Sequence, residues 1–261
     1  MRGVAGMEVL KVEHLSKHFG GVHALSDISF HVLTGERLAI IGPNGAGKTT
    51  LFNLLNGQLK PTHGTIVFFD RDITKTRTDH RAHLGQARSF QLNMLFPTLT
   101  LLDNVLLAIH GMKPSRFQLF RSALSYPGCL NKARAILESM DLWLKREELT
   151  QSLSYGEQRK LEIALSLASD PKLLLLDEPS AGLTAEESAN LVDRLHGLGR
   201  GITVVVIAHD MDLVFGLADR IIVLHYGEII GMGTPDEIQE NTRVREIYMG
   251  MEGEGQNAPT R

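Results

Sequence analysis

Gly42-Pro43-Asn44-Gly45-Ala46-Gly47-Lys48-Thr49 is the stretch on which the reading of this chain turns. It fits G-x-x-x-x-G-K-[ST] at every defined position, and its flanks carry as much weight as its letters. Ahead of it runs Leu38-Ala39-Ile40-Ile41, a continuous apolar segment of the length of a buried strand. Behind it come Leu51, Phe52, Leu54 and Leu55, spaced for one side of a helix. A strand that turns sharply into a helix gathers backbone N–H groups around the turn, and the helix end adds positive partial charge. Glycines let those N–H groups face inward. Such a turn suits the phosphates of a nucleoside triphosphate. Gly42, Pro43, Asn44, Gly45, Ala46, Gly47, Lys48, Thr49 and Thr50 form the cradle, Lys48 reaches the β and γ phosphates, and the Thr49 hydroxyl offers an oxygen to Mg2+.

Two further apolar runs, Leu173–176 and Val204–207, match the first, and all three are expected as central parallel strands covered on both faces. The run at 173 ends in Asp177-Glu178, two carboxylates at the C-terminal edge where open α/β sheets bind ligands. Asp177 is expected in the Mg2+ shell. Glu178 is expected to polarise or deprotonate the attacking water, because in-line phosphoryl transfer needs a positioned nucleophile more than covalent chemistry. The bland alternative is a strand that ends in solvated acids, and the phosphate loop upstream weighs against it. His209 follows the third run, so it emerges at the same edge as Lys48 and Glu178, placed to contact the γ phosphate and to orient Glu178. Without those neighbours it would read as a cap or a surface residue.

The rest of the chain frames these motifs. Residues 9–34 read as short strands broken by a loop, with Phe30 and Val32 alternating against polar neighbours, and 65–69 read as another strand. From about Leu99 to Gln151 the pattern turns helical, with Ala133, Ile136, Leu137 and Met140 on one face, and suggests an inserted helical subdomain over about 95–155. Arg116, Phe117, Phe120, Arg121 and Leu124 form either an amphipathic patch facing a membrane or partner, or a covered helix of that insertion. A helix over 186–198 and a hairpin over 220–232 turning at Tyr226-Gly227 follow, and the polar tail after Gly250 is expected to be loose.

Bulk properties exclude several classes. At 261 residues, with 43% hydrophobic and 22% charged side chains, the chain is an ordinary globular one. Twenty-seven basic against thirty acidic residues leave a net charge of -3, which argues against a general nucleic-acid binder. The single Cys129 forms no internal disulfide, which suits a reducing compartment. No apolar run approaches the ~20 residues that cross a bilayer, and Met1 to Met7 lacks the apolar core of a signal peptide, so a membrane role is expected to run through a partner.

Leu153-Ser154-Tyr155-Gly156-Glu157-Gln158 precedes a helix-like run, 159–168, that stops at Asp170-Pro171. Locally this is a capping box, Ser154 capping the helix while Glu157 reaches back. The same order resembles the L-S-G-G-Q signature of ABC-type ATPases. The resemblance covers about Glu8 to Gly250 and takes in the phosphate loop, Gln91, the signature, the acidic strand end and His209 in the family's order. It implies a P-loop NTPase (RecA-like) α/β core with an N-terminal antiparallel β subdomain and an inserted α-helical subdomain, an ABC ATPase domain over 8–250, and a tail over 251–261. It implies ATP and Mg2+ as cofactors, with Gln91 a Mg2+ ligand linked to the helical subdomain. Phe19 matches the family's adenine-stacking aromatic; its alternative is a core phenylalanine.

Family members pair head to tail, so Ser154 and Gly156 would serve the ATP of a second ATPase subunit, identical or related. The other implied partners are transmembrane permease subunits and, indirectly, an extracytoplasmic substrate-binding protein, with this chain at the cytoplasmic face of the membrane. Residues 19–25, Arg88 to Phe96 and Leu153 to Glu157 are similar to ATPase subunits of importers for branched-chain amino acids and, more distantly, urea. Two positions depart from the family. Tyr155 stands where many members have Gly, which bears on how closely backbone approaches phosphate. Thr184 stands where Asp usually follows 180–183, which bears on the contact across the dimer. A soluble ABC ATPase acting on nucleic acid or ribosomes would show a coiled-coil insertion, basic patches or two cassettes, and a non-hydrolysing regulatory subunit would lack Lys48, Glu178 or His209.

Overall fold

The computed structural model describes residues 6–89, 95–111 and 127–247; Gln91, the patch over 116–124 and the tail over 251–261 lie outside these. Strands β1 (Glu8–Phe19) and β2 (Val22–Leu33) pair antiparallel and meet across Gly20-Gly21. Each has 12 residues, longer than the short strands expected. The reason is irregular register. Shifts interrupt the pairing at several points, and His14 and Asp27 have φ of 50° and 54°, so apolar alternation breaks without the strand ending. β3 (Arg37–Ile41) leaves for a second sheet, while β4 (His63–Phe68) and β5 (Arg71–Asp72) complete the first in the order β2-β1-β4-β5.

The second sheet has the order β10-β9-β3-β8-β7-β6. Within it β6 (Gln86–Arg88), β7 (Leu173–Asp177), β8 (Thr203–Ile207) and β9 (Arg220–His225) run parallel with β3, and β10 (Glu228–Gly233) folds back antiparallel on β9. The three continuous apolar runs are therefore central, as expected. Successive side chains of a strand point to opposite faces, and here each face has its own core. Leu38, Ile40, Leu173, Leu175, Val205 and Ile207 pack with α1 (Lys48–Leu55) and the antiparallel sheet. Ala39, Ile41, Leu174, Leu176, Val204 and Val206 face the other way, into a core shared with the later helices.

Of those helices, α2 (Thr78–Leu84) leads into β6, and α3 (Leu101–Gly111), α4 (Pro127–Ser139) and α5 (Tyr155–Leu167), which lie between β6 and β7 in the chain, pack on one another as a helical layer. Buried Asn104 closes this layer, donating to Phe96 O (3.1 Å) and Thr150 Oγ1 (3.0 Å) and accepting from Phe96 N (3.0 Å). The helix α6 (Ala185–Gly197), α7 (Met211–Leu217) and α8 (Pro235–Glu240) alternate with strands. Among the described residues no helix is long and apolar enough to cross a membrane.

One buried charge fastens the far end of α1. Arg81, 1% exposed, donates to Leu54 O (2.9 Å), Thr76 O (2.9 Å) and Ile73 O (2.6 Å), and to Leu55 O. Burial pushes its pKa down to about 10, so it remains a cation at neutral pH and faces the negative end of the helix. Arg81→Met strips these carbonyls of a donor that water cannot replace. Urea denaturation is expected to show a loss of about 3 kcal/mol; an unchanged midpoint would mean that the helix end holds itself.

Candidate functional site

The loop between β3 and α1 is shaped by a close approach. Gly47 has φ 101°, and a Cβ there would lie 2.7 Å from Ala24 O and 2.8 Å from Leu25 Cδ2, so β2 admits only glycine. Gly47 is also the residue before α1, and that helix begins with no side-chain cap and no acidic residue in its first turn. By contrast α5, α6 and α8 each open with a capping box. The N-terminus of α1 is thus left to an outside acceptor, which is the fit that phosphate requires.

Lys48 is 8% exposed. Its Nζ donates to Gly42 O (2.6 Å) and Pro43 O (3.0 Å), which leaves one of three N–H donors for a ligand. Burial holds its pKa below the ordinary lysine value, and the nearby charges of Glu178 and Asp177 offset only part of that. Asn44, Gly45 and Thr49 are exposed and Pro43 and Thr50 half-buried, whereas the Gly42 and Ala46 positions are buried. Ala46 serves the fold, its carbonyl accepting from Gly227 N (3.0 Å) at the hairpin turn.

Asp177 closes β7 and Glu178 follows it. Burial pushes the Asp177 carboxyl up, Arg88 pulls it down, and the adjacent charge of Glu178 pushes it up further. Glu178 has φ 46°, a left-handed conformation that costs a non-glycine residue of its kind on the order of 1 kcal/mol. Its N–H holds Ile207 O (2.8 Å), so the strain is pinned to β8. The carboxylate is left half-exposed, with Oε1 3.5 Å from His209 Nδ1. His209 is presented by a turn that Asp210 locks, since Asp210 caps α7 through Asp212 N (3.0 Å) and Leu213 N (3.3 Å) and accepts from Ser188 Oγ (2.9 Å). Lys48, Asp177, Glu178 and His209 are brought to one edge of the parallel sheet.

Phe19 ends β1 and is 47% exposed, with Lys17 Nζ 4.9 Å from its ring centroid, so the core-phenylalanine alternative does not hold. The hairpin that carries it is the one that packs on Gly47 through Ala24 and Leu25. Ser154 caps α5, accepting from Glu157 N (3.3 Å) while Glu157 Oε2 accepts from Ser154 N (3.0 Å). Gly156 is buried against the carboxylate of Glu187 on α6. Gln91 lies outside the described residues.

Both departures from the family pattern have local work to do. The Tyr155 ring lies against Gly182 with Arg159 5.3 Å above it, tying the signature to the turn after β7. Thr184 caps α6, accepting from Glu187 N (3.3 Å) as Glu187 Oε2 accepts from Thr184 N (2.9 Å). Arg88 is the site residue that motif reasoning passed over. It pairs with Asp177 at 3.2 Å, across 89 positions of sequence, and only the pairing of β6 with β7 reveals it.

Comparison with known proteins agrees with this geometry. The pattern of the ABC transporter family matches residues 25–181, and that of a branched-chain amino acid ATP-binding cassette transporter matches residues 228–250. A high-affinity branched-chain amino acid transport ATP-binding protein, LivG of Salmonella typhimurium, is 38% identical over 251 residues, 93% of this chain and 98% of the relative. The crystal structure of an ATP-binding cassette of an ABC transporter in its ADP conformation superposes with a TM-score of 0.82 at 31% identity, covering 94% of this chain and 99% of the other. A dimeric cassette in a post-hydrolysis state bound to ADP and Pi superposes with a TM-score of 0.71 at 27% identity, covering 87% and 98%. The uncapped helix behind the phosphate loop, the acidic end of β7 and these likenesses together establish that this chain belongs to the ABC transporter family of ATP-binding cassettes.

Proposed function

We propose that this chain is the ATP-hydrolysing subunit of an ABC importer, and that its transporter takes up branched-chain or related amino acids. One observation carries the chemical part: an uncapped helix N-terminus and buried Lys48 meet Asp177, Glu178 and His209 at a single sheet edge. The cargo class rests on the likeness to LivG and on the match over residues 228–250.

In this reading Phe19 stacks on adenine, a contact worth roughly 1–3 kcal/mol. The backbone from Gly42 to Thr50 and the free donor of Lys48 hold the phosphates. The Glu178 carboxylate accepts a proton from the attacking water, and His209 keeps that carboxylate turned toward it. Thr49 and Asp177 offer the oxygen donors that a hard cation prefers, and the family's glutamine, Gln91, is the third candidate. Mg2+, when bound there, neutralises charge on the β and γ phosphates.

A second ATPase subunit completes the assembly. Ser154 is exposed at the N-terminus of α5 and is offered to the partner's nucleotide, with Gly156 behind it against Glu187. ATP favours the closed pair and hydrolysis the open one, a population shift passed through the helical layer to transmembrane permeases. The chain then sits at the inner face of the membrane, and an extracytoplasmic binding protein delivers cargo to the other side.

Glu178→Gln is expected to bind ATP as before and to lose at least ~10²-fold in phosphate release with the permease complex; near-normal turnover would remove Glu178 from its role. Lys48→Ala takes a buried cation from the phosphates, and titration with a fluorescent ATP analogue should show about 30-fold weaker binding. Uptake of radiolabelled leucine by vesicles carrying the co-purified permeases tests the cargo class, and the absence of uptake there alongside ATP turnover would direct the search to other solutes.

A further inference from the structure

Arg88 ends β6, and the groups that hold it belong to α1, the segment just after it, and the acidic end of β7. Its Nη1 donates to Asn53 Oδ1 (3.3 Å) and Gln58 Oε1 (2.6 Å), and its Nη2 donates to Asp177 Oδ2 (3.2 Å). The guanidinium carbon lies 4.7 Å from the ring centroid of Phe52, which is fully buried. Asn53 and Phe52 belong to α1, and Gln58 follows it closely, with its own N–H bound to Asn53 O (2.9 Å). The side chain is 14% exposed, so water has little share in these contacts.

We infer that Arg88 is a positioning residue for the metal arm of the site, a brace that fixes Asp177 relative to the helix carrying the phosphate loop. This rests on the proposed function. A carboxylate at a strand end turns about its last bond unless something holds it. Arg88 engages Oδ2 and so sets the direction of Oδ1, the oxygen left for a cation or its water. The planar fork of a guanidinium serves two directions at once, toward α1 and toward β7, which the single ammonium of lysine cannot reproduce. Arg88 therefore keeps Asp177 and the Thr49 end of α1 in one frame, so that two oxygen donors from distant parts of the chain reach one ion together.

Charge balance alone makes the opposite prediction. Removing a cation beside Asp177 and Glu178 leaves the acids more negative and should draw a divalent ion tighter. Removing a brace should weaken it, and outer groups that orient a metal ligand typically contribute 10–100-fold to metal affinity. The direction of the change thus separates the two roles.

The test uses the full chain as wild type, Arg88→Met, Arg88→Lys and Gln58→Ala. Mn2+ binding is read by electron paramagnetic resonance in the presence of a non-hydrolysable ATP analogue, and binding of that analogue is also measured in EDTA. Arg88→Met should raise the Mn2+ Kd about tenfold or more, with Arg88→Lys and Gln58→Ala in between, while nucleotide affinity in EDTA stays within about twofold. A Mn2+ Kd that is unchanged or lowered in folded Arg88→Lys and Arg88→Met overturns the inference. So does a parallel loss of metal-free nucleotide binding, which would mark a general support of α1. Wild-type protein that holds no nucleotide in EDTA or with Mn2+ sinks the proposed function itself, whereas normal wild-type binding beside unaltered variants sinks only the role of Arg88.

Discussion

A helix cannot satisfy the N–H groups of its own first turn, and in this protein α1 leaves them without a side-chain cap. The chain caps α5, α6 and α8 with paired side-chain and backbone bonds, so the means were available and are not used at α1. The surrounding structure makes that open end usable. β2 presses on Gly47 and fixes the entry to the helix, and the two carbonyls that bind Lys48 keep its ammonium at the mouth of the loop. Polyanion binding follows from backbone geometry first and side-chain charge second.

An open end needs a firm opposite end. The last carbonyls of α1 are taken by buried Arg81 and by Gln86 Nε2 (2.7 Å to Leu55 O), and its middle is gripped by Arg88. Gln86 and Arg88 sit on β6, the strand beside β7, so α1 and the acidic strand end share supports. One strained residue sits where the chemistry is proposed: Glu178 is left-handed, and its N–H bond to β8 holds it there.

Much of this was legible in the sequence because it is local. Three apolar runs announced the parallel strands, and the loop, the acids at 177 and 178 and His209 each follow directly from one of them. Capping by Ser154 is a four-residue pattern and was read as such. What the sequence concealed depends on distance or on irregular backbone. Two 12-residue strands looked like fragments because bulges break the alternation. The brace from Arg88 to Asp177 joins positions that only a sheet register brings together. Thr184 read as a missing acid, and the structure shows the positive choice, a cap that shares Glu187 with the neighbourhood of Gly156.

The two-glycine turn at 20–21 sets Phe19 at the very tip of the long hairpin, with its ring half bare. A ring face reads neither donors nor acceptors on a base, and every purine offers it a similar surface. In the proposed reading, a motor built this way would grip the phosphate end of its fuel far more tightly than it inspects the lettered end, and the relative abundance of nucleotides in the cell would then decide which one drives it.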